Sequence, residues 1–248
     1  QSTPTDSDAA FNLCRQLALT GIAPELDALF DQAKTGRYTH ARFLVEALQI
    51  EADIRTERKR LRRIHEAKLP RLKTFDDFDC DANPNISPAT IGTLEQGDFI
   101  RDAQPVVLLG DSGTGKTHLL IATVLAAAEH GHRARYVTCA QLANELAEAA
   151  HNHQLGRIVG RYARYDLLAV DELGYVRLDQ QSAEHLFQIL TEREEKASVM
   201  VASNAPFSEW NQTFTDPRLA TAIIDRLTYK AHIIETGTTS YRLASSLR

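Results

Sequence analysis

Up to about residue 70 the apolar positions recur every three or four residues, and no alternating pattern competes, so this segment predicts helices. Ser7 or Asp8 is expected to cap a first helix carrying Phe11, Leu13, Leu17 and Leu19, ending near Gly21. Pro24 suits the first turn of a second helix with Leu26, Leu29 and Phe30 on one face and Gly36 beyond its end. Thr39 is expected to cap a third, longer helix whose apolar face is Phe43, Leu44, Leu48, Ile54, Leu61 and Ile64, closed by Pro70. Residues 1–70 therefore read as a small all-helical N-terminal domain. Residues 71–90 break the pattern and read as a linker, rich in turn formers, with Phe75 and Phe78 needing a surface to cover them. Ser87-Pro88 opens a helix running through Leu94 to about Ile100.

From residue 105 onward short apolar runs alternate with helical stretches. Val106–Leu109, Arg135–Thr138, Asp166–Val170, Ser198–Ala202 and Ile233-Ile234 read as strands. Lys116–His130, the stretch around Leu142 and Leu146, Ser182–Glu195 and Arg218–Tyr229 read as helices, while His151–Arg164 is less apolar and carries Arg157, Arg161 and Arg164. The expectation for residues 71–248 is an α/β domain with a parallel five-stranded sheet covered on both faces.

The composition, 43% hydrophobic and 25% charged over 248 residues, is that of a soluble globular protein. No apolar run approaches the ~20 residues of a membrane span, and Gln1-Ser2-Thr3-Pro4 does not read as a signal peptide. Cys14, Cys80 and Cys139 are isolated and lack metal-ligand spacing, which suggests reduced, mainly buried thiols in a cytoplasmic protein. A net charge of -5 gives no global attraction for nucleic acid. The end of the third helix is nonetheless basic: Arg55, Arg58, Lys59, Arg60, Arg62, Arg63, Lys68, Arg71 and Lys73 are only partly offset by Asp53, Glu57 and Glu66. That run is either a solvated face laced with pairs such as Glu51–Arg55 or a sequence-independent contact to a phosphate backbone.

The candidate chemistry begins at Gly110-Asp111-Ser112-Gly113-Thr114-Gly115-Lys116-Thr117, a G-x-x-x-x-G-K-T loop between a strand and a helix. Its glycines let backbone N–H groups converge on an anion, and the helix N-terminus adds positive potential. Lys116 supplies a full charge to the β- and γ-phosphates, and the Thr117 hydroxyl can ligate Mg²⁺. Asp171 and Glu172 end a buried strand at the sheet edge where α/β proteins bind ligands. Asp171 suits Mg²⁺ and Glu172 suits a general base toward water; the plainer alternative is a strand end meeting solvent. Asn204 ends the fourth strand, either as a turn residue before Pro206 or as a group orienting water at a γ-phosphate.

This order of motifs, with Asp225-Arg226-Leu227 and Gly237-Thr238-Thr239-Ser240-Tyr241-Arg242, resembles the AAA+ ATPases. More narrowly it resembles the IstB helper ATPases of insertion-sequence transposition and their relatives, the DnaC-type helicase loaders. The resemblance runs from about residue 55, and the helical N-terminus also fits IstB. It implies a nucleotide site at Gly110, Asp111, Ser112, Gly113, Thr114, Gly115, Lys116, Thr117 and His118, with ATP and Mg²⁺ as cofactors. Lys116, Glu172 and Asn204 would act in cis, Arg226 as an arginine finger on the next subunit's γ-phosphate, and Arg242 as a second sensor within its own subunit. Arg218 is a second, less well placed finger. Asp111-Ser112 departs from the Pro-Pro that relatives often carry, but neither side chain is needed for the backbone cradle. Implied partners are duplex DNA, bound mainly through its backbone, a transposase, and further copies of the chain with ATP between neighbours. Arg58, Lys59, Arg62, Arg63, His153, Arg157, Arg161 and Arg164 are the candidate phosphate contacts. The alternatives are a replicative helicase loader, an adaptor switched by nucleotide, and a small-molecule kinase; the Asp-Glu pair and lack of an evident lid speak against the last.

Overall fold

Helices fill the N-terminal segment as expected, but the first begins with a different cap. The computed structural model describes residues 5–175 and 177–241. Thr5, not Ser7 or Asp8, caps α1 (Asp6–Gln16): its hydroxyl accepts from the Asp8 N–H at 3.2 Å while the Asp8 carboxylate accepts from the Thr5 N–H at 2.9 Å. This reciprocal pair satisfies two orphan donors at once. Pro24 lies in a short 3-10 turn (Ala23–Glu25) that leads into α2 (Leu26–Thr35). Thr39 caps α3 (His40–Ala67) by accepting from the Arg42 N–H at 3.2 Å. The chain forms two compact units, Gln1–Arg62 and Arg63–Arg248, so the division falls within α3.

In the first unit Ile22, Leu26, Leu29 and Ala47 form the core, with Phe30 and Phe43 stacked at 5.5 Å beside them. Only Phe43, Ala47 and Ile50 of α3 reach this cluster, a single i, i+4, i+7 stripe. Leu44, Leu48 and Leu61, expected on the buried face, are each more than half exposed, as are Leu13 and Leu17 of the first helical stretch. The short helices α1 and α2 offer too little apolar surface to cover a wider stripe. Glu51 is buried: its carboxylate accepts from the Gly21 and Ile22 N–H groups at 2.7 and 3.0 Å and from Arg55 Nε at 2.6 Å. A Cβ on Gly21 would lie 2.8 Å from that carboxylate, so the glycine permits the approach. The Glu51–Arg55 pair is thus a fastening of α3 to the turn at residue 21 rather than a solvated helix pair.

The second unit is built on one parallel sheet of order β2-β3-β4-β1-β5. The strands are β1 (Val106–Leu109), β2 (Ala134–Thr138), β3 (Leu167–Leu173), β4 (Ser198–Ser203) and β5 (His232–Glu235). Side chains alternate between two cores, as the pleat requires. Val106 and Leu108 face α4 (Pro88–Gln96), α5 (Asp98–Arg101) and α6 (Lys116–Glu129). Val107 and Leu109 face α7 (Cys139–His151), α8 (Leu155–Tyr162), α9 (Gln180–Arg193) and α11 (Pro217–Thr228), which follows the single turn α10 (Trp210–Thr213). Pairing Leu109 with Ser203 and Thr138 with Asp171 brings the carboxyl ends of the central strands level.

Several expectations are corrected here. Residues 71–90 are not a loose linker: Phe75 and Phe78 pack on the second unit's core, Ile86 is buried within it, and Asn83 is buried too. The expected helix to Ile100 is interrupted by Gly97 at φ +71°, which ends α4 and starts α5. The stretch read as less apolar contains α8, whose Ile158, Val159 and Tyr162 are buried. Cys139 is buried, whereas Cys14 and Cys80 are only half-buried. Among the described residues no helix is long and apolar enough to cross a membrane.

Candidate functional site

The loop from Gly110 to Gly115 turns the chain from β1 into the N-terminus of α6, under unusual crowding. Gly113 and Gly115 adopt φ of +87° and +97°, a region that disfavours side chains. A Cβ at Gly113 would collide with Ser240 Oγ, and one at Gly115 would lie 2.7 Å from the Phe78 ring. The loop is therefore clasped from both sides by segments remote in sequence. On one side Asn83 donates to the Thr114 and Thr236 carbonyls at 2.8 and 3.0 Å. On the other, the Asp111 N–H donates to the Gly237 carbonyl at 3.0 Å and the Tyr241 N–H to Gly113 at 3.1 Å. Thr114 and Thr236, both buried, share a hydroxyl–hydroxyl bond.

Lys116, in the first turn of α6, is buried under the loop and donates to the Gly110 and Asp111 carbonyls at 2.6 and 2.7 Å. His118 Nε2 pairs with the Thr74 carbonyl at 2.8 Å, and its ring meets Phe78 edge-on at 5.3 Å. His118 thus ties α6 to residues 74–78.

Across the cavity β3 supplies Asp171, 3% exposed. Its Oδ1 accepts from the Glu172 N–H at 2.9 Å, and its Oδ2 accepts from the Tyr136 hydroxyl at 2.9 Å. Between the pairs Val170–Val201 and Leu173–Ser203, β3 spends one residue more than β4. This bulge re-aims the strand end: Glu172, at φ +61°, is exposed instead of following the buried alternation. A left-handed non-glycine residue costs ~1–3 kcal/mol and clusters at functional sites. Burial first, then the Asp171 and Glu172 charges, push the Tyr136 hydroxyl far above its ordinary range, so it stays protonated as a donor. Burial likewise pushes the Cys139 thiol up to about 12.

Asn204 follows β4, between the ends of β1 and β3. The turn there is held by Ser203, whose Oγ donates to the Ala205 carbonyl at 2.9 Å and accepts from the Ala205 N–H at 3.1 Å. Asn204 sits within that turn, and its Oδ1 is a buried atom with no hydrogen-bond partner among the described residues.

Lys116, Thr117, Asp171, Glu172 and Asn204 all line one cavity of about 380 Å³, together with Ser112 to Gly115 and His118. That volume suits a small-molecule ligand. Thr117 and Asp171 offer only oxygen donors, one of them a carboxylate already fixed in orientation, which fits a hard dication such as Mg²⁺ held partly by phosphate oxygens. The cavity also contains Arg71 and Lys73, which the sequence placed in the basic run, and Phe78 and Asn83, which it did not single out for chemistry. Their signal was faint: two aromatics in a polar stretch, and an Asn beside Pro84 that reads as a turn. Tyr136 was hidden as an ordinary strand residue.

Arg226 lies elsewhere. In the last turn of α11 its Nε is 3.4 Å from Glu194 and its guanidinium stacks 4.2 Å from the centre of the Phe187 ring. It borders a second cavity of about 270 Å³ with Gln104 and Pro105, which precede β1, and Ala197, which precedes β4. Arg218 is exposed at the opposite end of α11, its N–H donating to Asp216 at 2.8 Å. Arg242 lies outside the described residues.

The candidate DNA contacts divide by their engagement. In the first unit Arg58, Lys59 and Arg62 are all exposed, and Arg58 donates to the Thr20 hydroxyl. In the second, Arg63 pairs with Glu66 at 3.1 Å and its side chain is 12% exposed. Arg161 is ion-paired to Glu145, which also accepts from Tyr162. These bonds hold the Glu145 carboxyl below the usual carboxylate range despite burial. His153, Arg157 and Arg164 are exposed.

Comparison with known proteins agrees with this geometry. An ATP-binding protein of an insertion sequence from Sinorhizobium fredii is 35% identical over 218 residues, covering 88% of this chain and 73% of that protein. The ATP-binding protein of insertion sequence IS5376 from Geobacillus stearothermophilus is 34% identical over 230 residues, covering 93% and 92%. The AMPPCP-bound structure of DnaA from Aquifex aeolicus superposes with a TM-score of 0.55 at 22% identity, over 67% of this chain and 51% of that one, a likeness of AAA+ fold alone. The profile of the IstB-like ATP-binding proteins matches residues 12–248, and the chain belongs to that family.

Proposed function

We propose that this protein is a cytoplasmic ATPase that assembles on duplex DNA with ATP between neighbouring copies and recruits or activates the transposase of an insertion sequence. The observation that carries the reading is a division of parts. Lys116, Thr117, Asp171, Glu172 and Asn204 share one cavity, whereas Arg226 lies at the opposite edge of the same sheet. Among the described residues one chain's phosphate cavity is lined by Arg71 but not by Arg226, and a second copy can bring its own Arg226 to it.

In this mechanism the loop N–H groups and Lys116 hold the phosphates, the ammonium exchanging its bonds to Gly110 and Asp111 for phosphate oxygens. Thr117 and Asp171 would hold Mg²⁺, which offsets phosphate charge. Glu172 accepts a proton from the attacking water, and the unpartnered Asn204 Oδ1 accepts a hydrogen bond that orients it. Arg226 of a neighbouring copy leaves Glu194 to stabilise charge on the transferred group. ATP binding orders the assembly and hydrolysis loosens it. DNA would be held through its phosphates by exposed basic residues such as Lys59, Arg62, Arg157 and Arg164. The insertion-sequence names of the relatives support a transposase as partner.

The test combines DNA sedimentation, phosphate release and partner capture. Glu172→Gln should retain ATP-dependent assembly on DNA while losing turnover; turnover at the parent rate removes Glu172 as the base. Capture of a hexameric helicase instead of an insertion-sequence transposase would favour a loader.

A further inference from the structure

The reading so far leaves one buried hydroxyl beside the site without a task. Tyr136 stands on β2 opposite Ala169 of β3, and two residues further along Thr138 stands opposite Asp171. The Tyr136 ring is packed in the core beneath the sheet's α6 face, 7% exposed. Its hydroxyl nevertheless reaches the carboxyl end of the neighbouring strand and donates to Asp171 Oδ2 at 2.9 Å. The other oxygen, Oδ1, accepts from the Glu172 N–H at 2.9 Å. A carboxylate held through one oxygen can still rotate about its Cβ–Cγ bond. Held through both, by donors on two different strands, its plane is fixed. Each oxygen has two acceptor sites, so one on each remains for a cation or its water shell.

We propose that Tyr136 is a positioning residue for the cation site: its hydroxyl sets the orientation in which Asp171 meets the nucleotide-bound dication. The inference rests on the assignment of Asp171 to the metal. A core needing only bulk at residue 136 is served by Phe, and the same apolar cluster already contains Phe99, Leu108 and Met200. The hydroxyl adds a polar atom whose burial is justified by the single acceptor it meets. Partners of metal ligands in this outer position typically change metal affinity or activity by about 10–100-fold when removed.

The experiment uses the full chain with Mn²⁺ as probe and a non-hydrolysable ATP analogue, reading free Mn²⁺ by electron paramagnetic resonance. Tyr136→Phe should raise the Mn²⁺ dissociation constant about tenfold, leaving analogue affinity without metal unchanged. In turnover, the Mg²⁺ concentration for half-maximal rate should rise by a similar factor, while the rate at saturating Mg²⁺ stays within about threefold of the parent. Asp171→Asn separates the two readings. If it leaves Mn²⁺ affinity intact, the metal assignment itself fails. If Asp171→Asn weakens Mn²⁺ and Tyr136→Phe does not, only the role of Tyr136 fails. In the Asp171→Asn background Tyr136→Phe should have no further effect on Mn²⁺. An additive loss there would mean that the ring supports the core without acting through Asp171, and would overturn the proposal, including when the single variant melts early.

Discussion

Two arginines at the amino edge of the sheet, and the lysine at its carboxyl edge, bury charge in different ways. Arg193, 1% exposed, donates to the Tyr162 and Ser198 carbonyls at 2.6 Å each and to the Asp166 carbonyl at 3.4 Å, joining the chain before β3 to the start of β4. Burial lowers its guanidinium to about 10, still charged at neutral pH. Lys116 also bonds to carbonyls, but these belong to a glycine loop that lines a cavity. Arg226 has a carboxylate at 3.4 Å and an aromatic face, and its side chain remains 23% exposed. A buried cation bound to the carbonyls of a helix end, the residue before one strand and the start of another is structure. A cation bound to loop carbonyls, or to a partly exposed acid, has partners that another ligand can replace.

That contrast is tested first at Arg226. Arg226→Ala should lower ATP turnover of the DNA-bound assembly by about 10³–10⁵-fold, while a single chain binds nucleotide as before. A matching loss of nucleotide affinity would show that Arg226 belongs to the architecture, like Arg193. Next, Arg193→Met removes a charged donor shared by three carbonyls and should cost about 3–5 kcal/mol in urea unfolding. Nucleotide affinity of the folded fraction should be unchanged; a stability loss under about 1 kcal/mol would dissolve the distinction. Lys116→Ala comes third, with nucleotide affinity down about 100-fold in equilibrium titration and the melting temperature little changed. The smallest effect is at Glu194→Gln, a pair at 3.4 Å with both side chains partly exposed, which should shift stability by no more than about 1 kcal/mol. A larger loss would mean that Glu194 fixes Arg226 rather than merely occupying it.

Much of the carboxyl edge of the sheet was legible because its signals are local. Gly110–Thr117 carries its glycines, cation and hydroxyl within eight positions, flanked by a strand and a helix that announce themselves by period. Asp171 and Glu172 are conspicuous because carboxylates rarely end a buried run. The bulge and positive φ that separate them were not legible, since they arise from register against β4. Nor were Phe78, Asn83 and Tyr136, whose contacts are with residues far along the chain. Asn204 was ambiguous in sequence because both readings want an amide before Pro206; the structure adds that it sits in a turn braced by Ser203 and lines the cavity. In the N-terminal unit the apolar period of α3 foretold a helix but not which stripe is covered, because that depends on how little α1 and α2 can bury. Charge patterning marked basic side chains without showing that Arg161 already has Glu145.

The clasp around the phosphate loop has a consequence for the order in which the protein is made. Asn83 bridges to Thr236, Asp111 to Gly237 and Gly113 to Tyr241. Phe78 and Asn83 are made before the motif, yet Thr236, Gly237 and Tyr241, which hold its other side, are made more than a hundred residues after it. A nascent chain that has just completed the motif and α6 has the loop's glycines, Lys116 and Thr117 but only the Phe78 and Asn83 side of its support. The clasped form of the loop therefore waits until residues 236–241 have been made.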